Sequence, residues 1–401
     1  MLNILQLRPV KNSIVERCRK DEATKLRLKY SPYYHHFERQ KGTRIWMDGR
    51  EMLLLSSNDY LGLNHHPKVI EAGQRALREW GSSSTGSRIA NGSRSYHRRL
   101  EEKLAAFLGK EDCHVHAAGY LSCMSAIQGF VQRGDTLYVD KNVHSSLWTG
   151  IASTLGTVEK FSHNKPEAFR AALSYQGDAK SDKLLIFEGV YSMEGHIAPA
   201  KELLDIAAQH DCFSVMDDAH GFGVLGNQGR GTADHLGVTD QVDIICGSLS
   251  KSMSSTGGFV AGDKVLLEYL RSHSKQTIFS AAISPAQAYC AEAALQVLQD
   301  EPQHLQRLWD NTRRYKAILH DLGLDTWDSE TPATPIVIGE KRKAYRFWQE
   351  LLNEGIFTTI SLPPAVPPKK DLIRTAISAS HSDADLEKIA DAFHKVKKRV
   401  L

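Results

Sequence analysis

The amino-acid sequence predicts an α/β fold with a mainly parallel sheet, followed by a smaller α+β domain. Between residues 46 and 285, short apolar segments alternate with helical patterns, an order typical of parallel sheets. After residue 285, long helical stretches lead into a mixture of strand and helix patterns. We therefore predict an N-terminal arm over 1–45, a large domain over 46–285, and a linking helix with a small C-terminal domain over 286–401.

The strand patterns of the large domain are short and apolar, and several end in an acid or a glycine. They cover residues 136–140, 184–188, 213–217, 244–247 and 258–262. Helical patterns in the same domain cover residues 67–80, 96–108, 120–131 and 201–210. The C-terminal part has helical patterns at 285–300, 304–322, 344–353 and 383–398, and strand patterns at 335–338, 355–360 and 372–378.

The composition is that of an ordinary globular protein, with 41% hydrophobic and 24% charged residues. The net charge of +3 is too balanced to indicate nucleic acid or an anionic membrane as the main partner. Six cysteines without metal-ligand spacing indicate free thiols, and no metal is predicted. No segment approaches the about 20 apolar residues that span a bilayer, and no signal peptide is recognised, so we expect a cytoplasmic protein.

The strand pattern 213–217 ends in Asp217, and His220 follows three residues later. Ligand-binding residues gather at the carboxyl ends of strands in open α/β sheets. An acid and an imidazole at this point can coordinate a metal, orient a base or bind a heterocycle. A helix N-cap followed by a core histidine is the alternative interpretation, which this short motif alone leaves open.

A lysine among hydroxyl groups follows the strand pattern 244–247. Ser248 and Ser250 precede Lys251, and a glycine pair follows at 257–258. Hydroxyls and backbone N–H groups can hold a phosphate, and an amine can form a Schiff base with an aldehyde. A solvated loop lysine is the alternative. A nucleotide P-loop is not indicated, because GxxxxGK[ST] does not occur.

A glycine–aromatic pair, Gly119-Tyr120, begins the helical pattern after 117–118. Gly119 lets the backbone approach a ligand closely, and a helix N-terminus favours an anion. Tyr120 is either a ligand contact or a core aromatic.

The order of these motifs is more specific than any one of them. Gly119-Tyr120 is followed by Asp140-Lys-Asn-Val-His144, Glu188-Gly-Val-Tyr-Ser192-Met-Glu-Gly195, Asp217-Asp-Ala-His220 and Ser248-Leu-Ser-Lys251-Ser252. This order resembles the α-oxoamine synthases, the fold-type I (aspartate aminotransferase-like) pyridoxal-phosphate enzymes that condense an amino acid with an acyl-CoA. The resemblance extends from Ser57-Asn-Asp-Tyr-Leu-Gly62 to Arg374-Thr-Ala-Ile-Ser-Ala-Ser-His381.

The resemblance implies pyridoxal phosphate as the cofactor and a role for each matched residue. Lys251 would form the Schiff base and move protons at the α-carbon of the amino acid, and Asp217 would pair with the pyridine nitrogen. His220 and Ser192 would bond the 3-oxygen of the ring, and His144 would stack on its face. The phosphate would be held by Gly119, Tyr120, Ser248 and Ser250, with Ser280 reaching it from the partner subunit of a homodimer.

The resemblance also implies the substrates. Arg374 would bind the carboxylate of the amino acid in a pocket that Asn58 lines. The stretch 360–367 and the motif 188–193 most resemble bacterial serine palmitoyltransferases of sphingolipid biosynthesis, and Leu362 stands where biotin-pathway enzymes usually carry a basic residue. We therefore expect L-serine and a long-chain acyl-CoA, with an acyl carrier protein as the alternative donor.

Three other activities stay open at this point. The stretches 145–148 and 278–282 resemble quorum-sensing α-aminoketone synthases, 8-amino-7-oxononanoate synthase is a further member of the family, and an aminotransferase or lyase without thioester chemistry shares the fold. Cys123 and His196 depart from the usual asparagine and aspartate of the family. The basic C-terminus, 394–399, is interpreted as a solvated helix end, with peripheral contact to a membrane as the alternative.

Overall fold

The computed structural model of the chain describes residues 13–26, 31–174 and 181–401. Residues 1–12 and 27–30 of the predicted arm lie outside the described residues. The α-helices are α1 Ser13–Leu26, α2 Pro67–Trp80, α3 Ser95–Leu108, α4 Gly119–Gln128, α5 Ser145–Ala152, α6 Pro166–Ser174, α7 Ala200–Gln209, α8 Thr232–His235, α9 Lys264–His273, α10 Lys275–Ile278, α11 Pro285–Asp300, α12 Gln303–Asp321, α13 Lys341–Asn353 and α14 Asp383–Val400.

The strands form three sheets. They are β1 Arg39–Lys41, β2 Arg44–Met47, β3 Arg50–Leu54, β4 Asp112–His116, β5 Thr136–Asp140, β6 Thr157–Phe161, β7 Lys183–Glu188, β8 Cys212–Asp217, β9 Ile244–Ser248, β10 Gly258–Gly262, β11 Ala333–Val337, β12 Ile356–Phe357, β13 Thr359–Ser361 and β14 Leu372–Ala376. None of the helices in the described part of the chain is long and apolar enough to cross a membrane.

The central sheet has seven strands in the order β4-β10-β9-β8-β7-β5-β6. Neighbouring strands from β9 to β6 are parallel, and β10 runs antiparallel to both β9 and β4. Helices connect the parallel strands, as crossover connections require. The predicted α/β fold with a mainly parallel sheet is therefore confirmed.

Two strands of this sheet were not recognised in the sequence. Strand β4 is fully buried, but it alternates Asp112, His114 and His116 with apolar residues and so has no apolar run. Its acid is compensated by Arg98 and Arg271, each with a guanidinium nitrogen 2.7 Å from a carboxylate oxygen of Asp112. Strand β6 lies at the sheet edge and is largely exposed, which removes the apolar pattern.

The C-terminal part contains the antiparallel sheet β11-β14-β13, which packs against α13, and α13 packs in turn against α14. A second sheet, β1-β2-β3-β12, joins residues 39–54 to the C-terminal strand β12 through a parallel pairing with β3. The predicted boundary after residue 45 falls inside β2. The domain limits of 1–45, 46–285 and 286–401 stay a prediction.

Four parallel strands place a polar residue at the same edge of the central sheet. Asp140, Glu188, Asp217 and Ser248 are the last residues of β5, β7, β8 and β9. Glu188 and Asp217 are direct neighbours in the register of β7 and β8. Ligands bind at the carboxyl ends of the strands in such sheets, so a ligand-binding site is expected at this edge.

Candidate active site

A cavity of about 400 Å³, here called the cofactor cavity, lies at this edge. It gathers most of the residues that the sequence singled out. They are Gly119, Tyr120, His144, Ser192, Asp217, His220, Ser248, Ser250 and Lys251.

Asp217 presents a buried carboxylate to the cofactor cavity. The thiol of Cys123 donates to its Oδ2 at 3.1 Å, and the backbone N–H of Ala219 donates to its Oδ1 at 3.0 Å. Two donors fix the orientation of the carboxyl group. A carboxylate fixed in this way can pair with a pyridine nitrogen and keep that nitrogen protonated.

Lys251 follows β9 by three residues and lies on the wall of the cofactor cavity. Burial lowers the pKa of its amine, while the negative charge of Asp217 acts in the opposite direction. A lowered pKa increases the uncharged fraction of an amine, which is the form that attacks a carbonyl carbon. The position and the pKa both fit a Schiff-base lysine.

An anion site is formed where α4 begins beside the end of β9. The hydroxyl oxygens of Ser248 and Ser250 are 2.7 Å apart, and Ala118 at the N-cap of α4 makes no side-chain capping bond. A Cβ atom at Gly119 would come within 2.6 Å of Ser248 Oγ. Only glycine therefore permits this close approach, which brings free helix N–H groups and two hydroxyls together and suits a phosphate.

His220 is oriented by Tyr60, whose hydroxyl lies 2.8 Å from His220 Nδ1. Both side chains are buried. Burial lowers the pKa of His220 well below its usual value, and the charges of Lys251 and Arg374 add to this effect. The imidazole can therefore present Nε2 to a ligand in the cofactor cavity, which His220 lines. Tyr60 was not assigned a role from the sequence, although it lies within the matched motif 57–62.

His144 is the N-cap of α5 and is held from two sides. Its Nδ1 accepts the backbone N–H of Ser146 at 3.2 Å, and its own backbone N–H donates to Glu188 Oε1 at 2.5 Å. Burial raises the pKa of Glu188 well above its usual value, and the charge of Asp217 raises it further. Glu188 was also missed as a functional residue. An acid ending a buried strand, as at Asp217, was the available signal.

Arg374 and Asn58 lie together, as the resemblance implied. Arg374 Nη2 donates to Asn58 Oδ1 at 3.1 Å, and Nε donates to the backbone oxygen of Ser192 at 2.9 Å. Asn58 lines a second cavity of about 460 Å³ that shares Ser250 and Lys251 with the cofactor cavity. The guanidinium therefore contacts one residue of each cavity, Ser192 and Asn58, although Arg374 itself lines neither of them.

A third cavity, here called the apolar cleft, has a volume of about 980 Å³. Val143, Trp148 and Met193 line it together with the stretch 363–368. It shares His144 and Ser192 with the cofactor cavity. His144 therefore stands between a site for the cofactor and a large, mainly apolar space, which Lys141 and Glu194 also line.

Ser280 does not line any of these three cavities within the described protomer. It follows α10, and the neighbouring Phe279 side chain is 82% exposed. The implied contact from a partner subunit stays a prediction.

The fold and the site define a fold-type I enzyme that uses pyridoxal phosphate. Asp217 suits the ring nitrogen of this cofactor, Ser248 and Ser250 suit its phosphate, and the amine of Lys251 suits its aldehyde. The chain belongs to the aminotransferase class I and II family, whose model matches residues 50–393. Its relatives identify it as an α-oxoamine synthase, a pyridoxal-phosphate-dependent acyltransferase, as the sequence predicted.

Two kinds of curated relative are similar to the chain. Serine palmitoyltransferase of Sphingobacterium spiritivorum is 36% identical over 367 residues, 92% of each chain. 8-Amino-7-oxononanoate synthase of Thermoanaerobacter pseudethanolicus is 37% identical over 363 residues, 90% of this chain and 92% of the relative. Among solved structures, serine palmitoyltransferase of Sphingomonas wittichii has a TM-score of 0.93 and 30% identity, covering 97% of this chain and 98% of the other.

Proposed function

We propose that the chain condenses L-serine with a long-chain acyl-CoA, releasing CoA and carbon dioxide and giving an α-amino ketone. This is the reaction that the name serine palmitoyltransferase describes for the relatives. The proposal places the chain in sphingolipid biosynthesis. The alternative within the family is the condensation carried out by 8-amino-7-oxononanoate synthases, since relatives of both names are similarly close.

The apolar cleft is the observation that supports a long-chain acyl group as the substrate. Its volume of about 980 Å³ lies near the upper end of the range for small-molecule sites, about 300–1,000 Å³. The lining by Val143, Trp148, Met193 and prolines suits an alkyl chain. Leu362 packs against the core beside the stretch 363–368, so the position offers no charge to an acyl group that ends in a carboxylate.

Two cations at the cleft suit the phosphates of CoA. Lys141 lines the cleft, and the Lys160 ammonium lies 4.6 Å from the ring centroid of Trp148. The same Lys141 is the feature that favours the alternative, because it offers a partner to the terminal carboxylate of a pimeloyl group.

The reaction divides among residues already described. Arg374, held by Asn58, binds the serine carboxylate and orients the α-hydrogen toward Lys251, which removes the proton. His144, between the cofactor cavity and the apolar cleft, orients the thioester carbonyl for attack by the α-carbon. Bound pyridoxal phosphate supplies the electron sink for the negative charge at that carbon.

The oligomer and the compartment belong to the same proposal. We infer a cytoplasmic homodimer in which Ser280 reaches the phosphate site of the partner subunit. The exposed Phe279 beside Ser280 supports a covered surface there. Gel filtration and the affinity of a Ser280→Ala variant for pyridoxal phosphate test this part, and a monomer with unchanged affinity would contradict it.

A substrate matrix tests the reaction. Serine, alanine and glycine are each combined with palmitoyl-, octanoyl- and pimeloyl-CoA, and CoA release is measured. The highest kcat/KM is expected for serine with palmitoyl-CoA. Preference for alanine with pimeloyl-CoA would establish the alternative, and turnover of amino acid without any thioester would indicate an aminotransferase or lyase.

A charge at position 362 sharpens this test. Leu362→Arg should lower kcat/KM for palmitoyl-CoA and raise it for pimeloyl-CoA, because the new cation is offered beside the apolar cleft. Leu155→Arg is the matched control, since Leu155 is an exposed leucine outside the three cavities. Equal effects of both variants would contradict a role of Leu362 in the choice of acyl group.

A further inference from the structure

Three metal-ligating side chains meet at the junction of α2, α11 and α12, and none of them lines the cavities described above. His66 is the N-cap of α2, Glu301 is the C-cap of α11, and His304 lies in the first turn of α12. We propose that His66, Glu301 and His304 form a binding site for a divalent transition-metal ion, with Zn²⁺ as the best fit.

The distances between the ligand atoms carry this proposal. His66 Nε2 and His304 Nε2 each lie 3.4 Å from Glu301 Oε2, and the three ligand atoms lie within 4.8 Å of one another. Hydrogen bonds from N–H to oxygen are shorter, at about 2.7–3.2 Å. Two ligands bound to Zn²⁺ at about 2.0–2.1 Å in tetrahedral geometry are separated by about 3.3–3.4 Å. The observed spacing therefore matches two edges of a tetrahedral site.

The donor set selects the kind of ion. Two imidazoles and one carboxylate suit Zn²⁺, Co²⁺ or Ni²⁺, whereas Mg²⁺ and Ca²⁺ prefer sites made of oxygen atoms. Water would complete the coordination, because the side chains of His66, Glu301 and His304 are 15%, 21% and 24% exposed. The site is thus shielded on the protein side and open to entry from solvent.

One neighbouring donor competes for these atoms, because Gln303 Nε2 donates to Glu301 Oε2 at 3.4 Å, a long hydrogen bond that a bound ion would replace. The side chain of His66 makes no capping bond to α2, which has proline at its start and so lacks one backbone donor. Lys68 Nζ binds the other carboxylate oxygen of Glu301, Oε1, at 2.7 Å. This contact turns Oε2 toward both imidazoles and keeps the carboxylate monodentate, in the way that outer groups orient metal ligands.

The bound ion would join three helices through their ends. Because α2 packs against α11, a metal at their shared junction adds a link that the unfolded chain does not form, and binding stabilises the fold. The prediction of no metal was based on the spacing of the cysteines, and His66 is remote in sequence from Glu301 and His304.

Metal titration of tag-free protein loaded with pyridoxal phosphate and freed of excess cofactor tests the proposal. Co²⁺ should bind once per chain with the visible d–d bands of a tetrahedral nitrogen–oxygen site, and Zn²⁺ should displace it. His304→Gln and His66→Gln should each weaken Zn²⁺ binding by at least about tenfold. The control is His320→Gln, on the same helix α12 with a side chain 90% exposed, and it should bind as the parent does.

Thermal unfolding gives a second readout. Zn²⁺ should raise the Tm of the parent and of His320→Gln, but not that of His304→Gln. The proposal is overturned if the parent binds no ion, since the three residues are then only imidazolium–carboxylate pairs. It is also overturned by unchanged affinity in His304→Gln, or by thiolate charge-transfer bands of Co²⁺, which would locate the ion at Cys123 and Cys246 beside Asp217.

Discussion

The thiol of Cys123 donates a hydrogen bond to Asp217 Oδ2 at 3.1 Å, inside the wall of the cofactor cavity. Helix α4 and strand β8 contribute one residue each. A thiol is a weak hydrogen-bond donor, so it orients the carboxylate while withdrawing little of its negative charge. Most of the negative charge of Asp217 is then available to pair with a protonated pyridine nitrogen of the cofactor.

Removing this thiol should loosen the cofactor. Cys123→Ala takes away one donor to a buried carboxylate, which corresponds to about 1 kcal/mol, or about fivefold in affinity. Cys123→Ser is the matched variant, because its hydroxyl restores a donor of similar size. Absorbance titration of apo-protein with pyridoxal phosphate measures both affinities. A loss of affinity in Cys123→Ser as large as in Cys123→Ala would argue against the hydrogen bond.

Lys251 should be the residue that becomes covalently attached to the cofactor. Borohydride reduction of the loaded protein, followed by peptide mass mapping, is expected to place the added pyridoxyl group on Lys251. Lys251→Ala should lose this label and all CoA release, while still binding the phosphate group. The exposed Lys264 serves as control, since Lys264→Ala should keep both label and activity. A label on any other lysine would disprove the assignment.

Glu188 should tolerate replacement by glutamine but not by alanine. Burial raises the pKa of Glu188 well above its usual value, which favours the uncharged carboxyl, so Glu188→Gln resembles that form and keeps the acceptor for the backbone N–H of His144. We expect kcat/KM of Glu188→Gln to stay within about threefold of the parent, and Glu188→Ala to lose about tenfold or more, as an unpaired buried N–H costs about 1–3 kcal/mol. A charged carboxylate would instead make Glu188→Gln the damaging change.

Arg374 should control the amino acid rather than the acyl donor. Arg374→Lys keeps a positive charge but loses the planar fork and the bonds to Asn58 and Ser192. The KM for serine should rise by about tenfold or more, with the KM for palmitoyl-CoA changed far less. Asn58→Ala should raise the KM for serine in the same direction by a smaller factor. Steady-state kinetics with each substrate varied in turn measures this, and a matched rise in both KM values would contradict the role.

The fold was predicted from local patterns, whereas the cofactor residues were predicted from the resemblance of the ordered motifs to a known family. Strands such as Thr136–Asp140 and Gly258–Gly262 are short apolar runs between turns, and the structure has the same bounds. The order of the motifs that end at Lys251 then identified the family. In the folded chain, the carboxyl ends of the parallel strands bring these separate motifs to one cavity.

The remaining features depend on contacts between distant parts of the chain. The bond between Tyr60 and His220 joins residues 160 positions apart, and the bond between Cys123 and Asp217 joins residues 94 apart. No local pattern encodes such pairs. The buried strand β4 was missed for a related reason, since the arginines that compensate Asp112 come from α3 and α9.

Acid pH should destabilise the protein through buried His97. Its Nε2 hydrogen-bonds to the backbone oxygen of Ile283 at 3.0 Å, and its Nδ1 accepts the backbone N–H of Arg94 at 3.1 Å. Burial lowers the pKa of His97 from 6.5 to about 4, and the positive charge of Arg88 adds to this effect. Between these two values the unfolded chain binds more protons than the folded one, so stability present above pH 6.5 is lost as the pH falls toward 4, by about 3 kcal/mol for this residue. In His97→Gln the fall of the urea midpoint between about pH 7 and about pH 4.5 should be smaller than in the parent, whereas the exposed control His320→Gln should follow the parent. An equal fall in His97→Gln and the parent would show that His97 titrates normally in the folded chain.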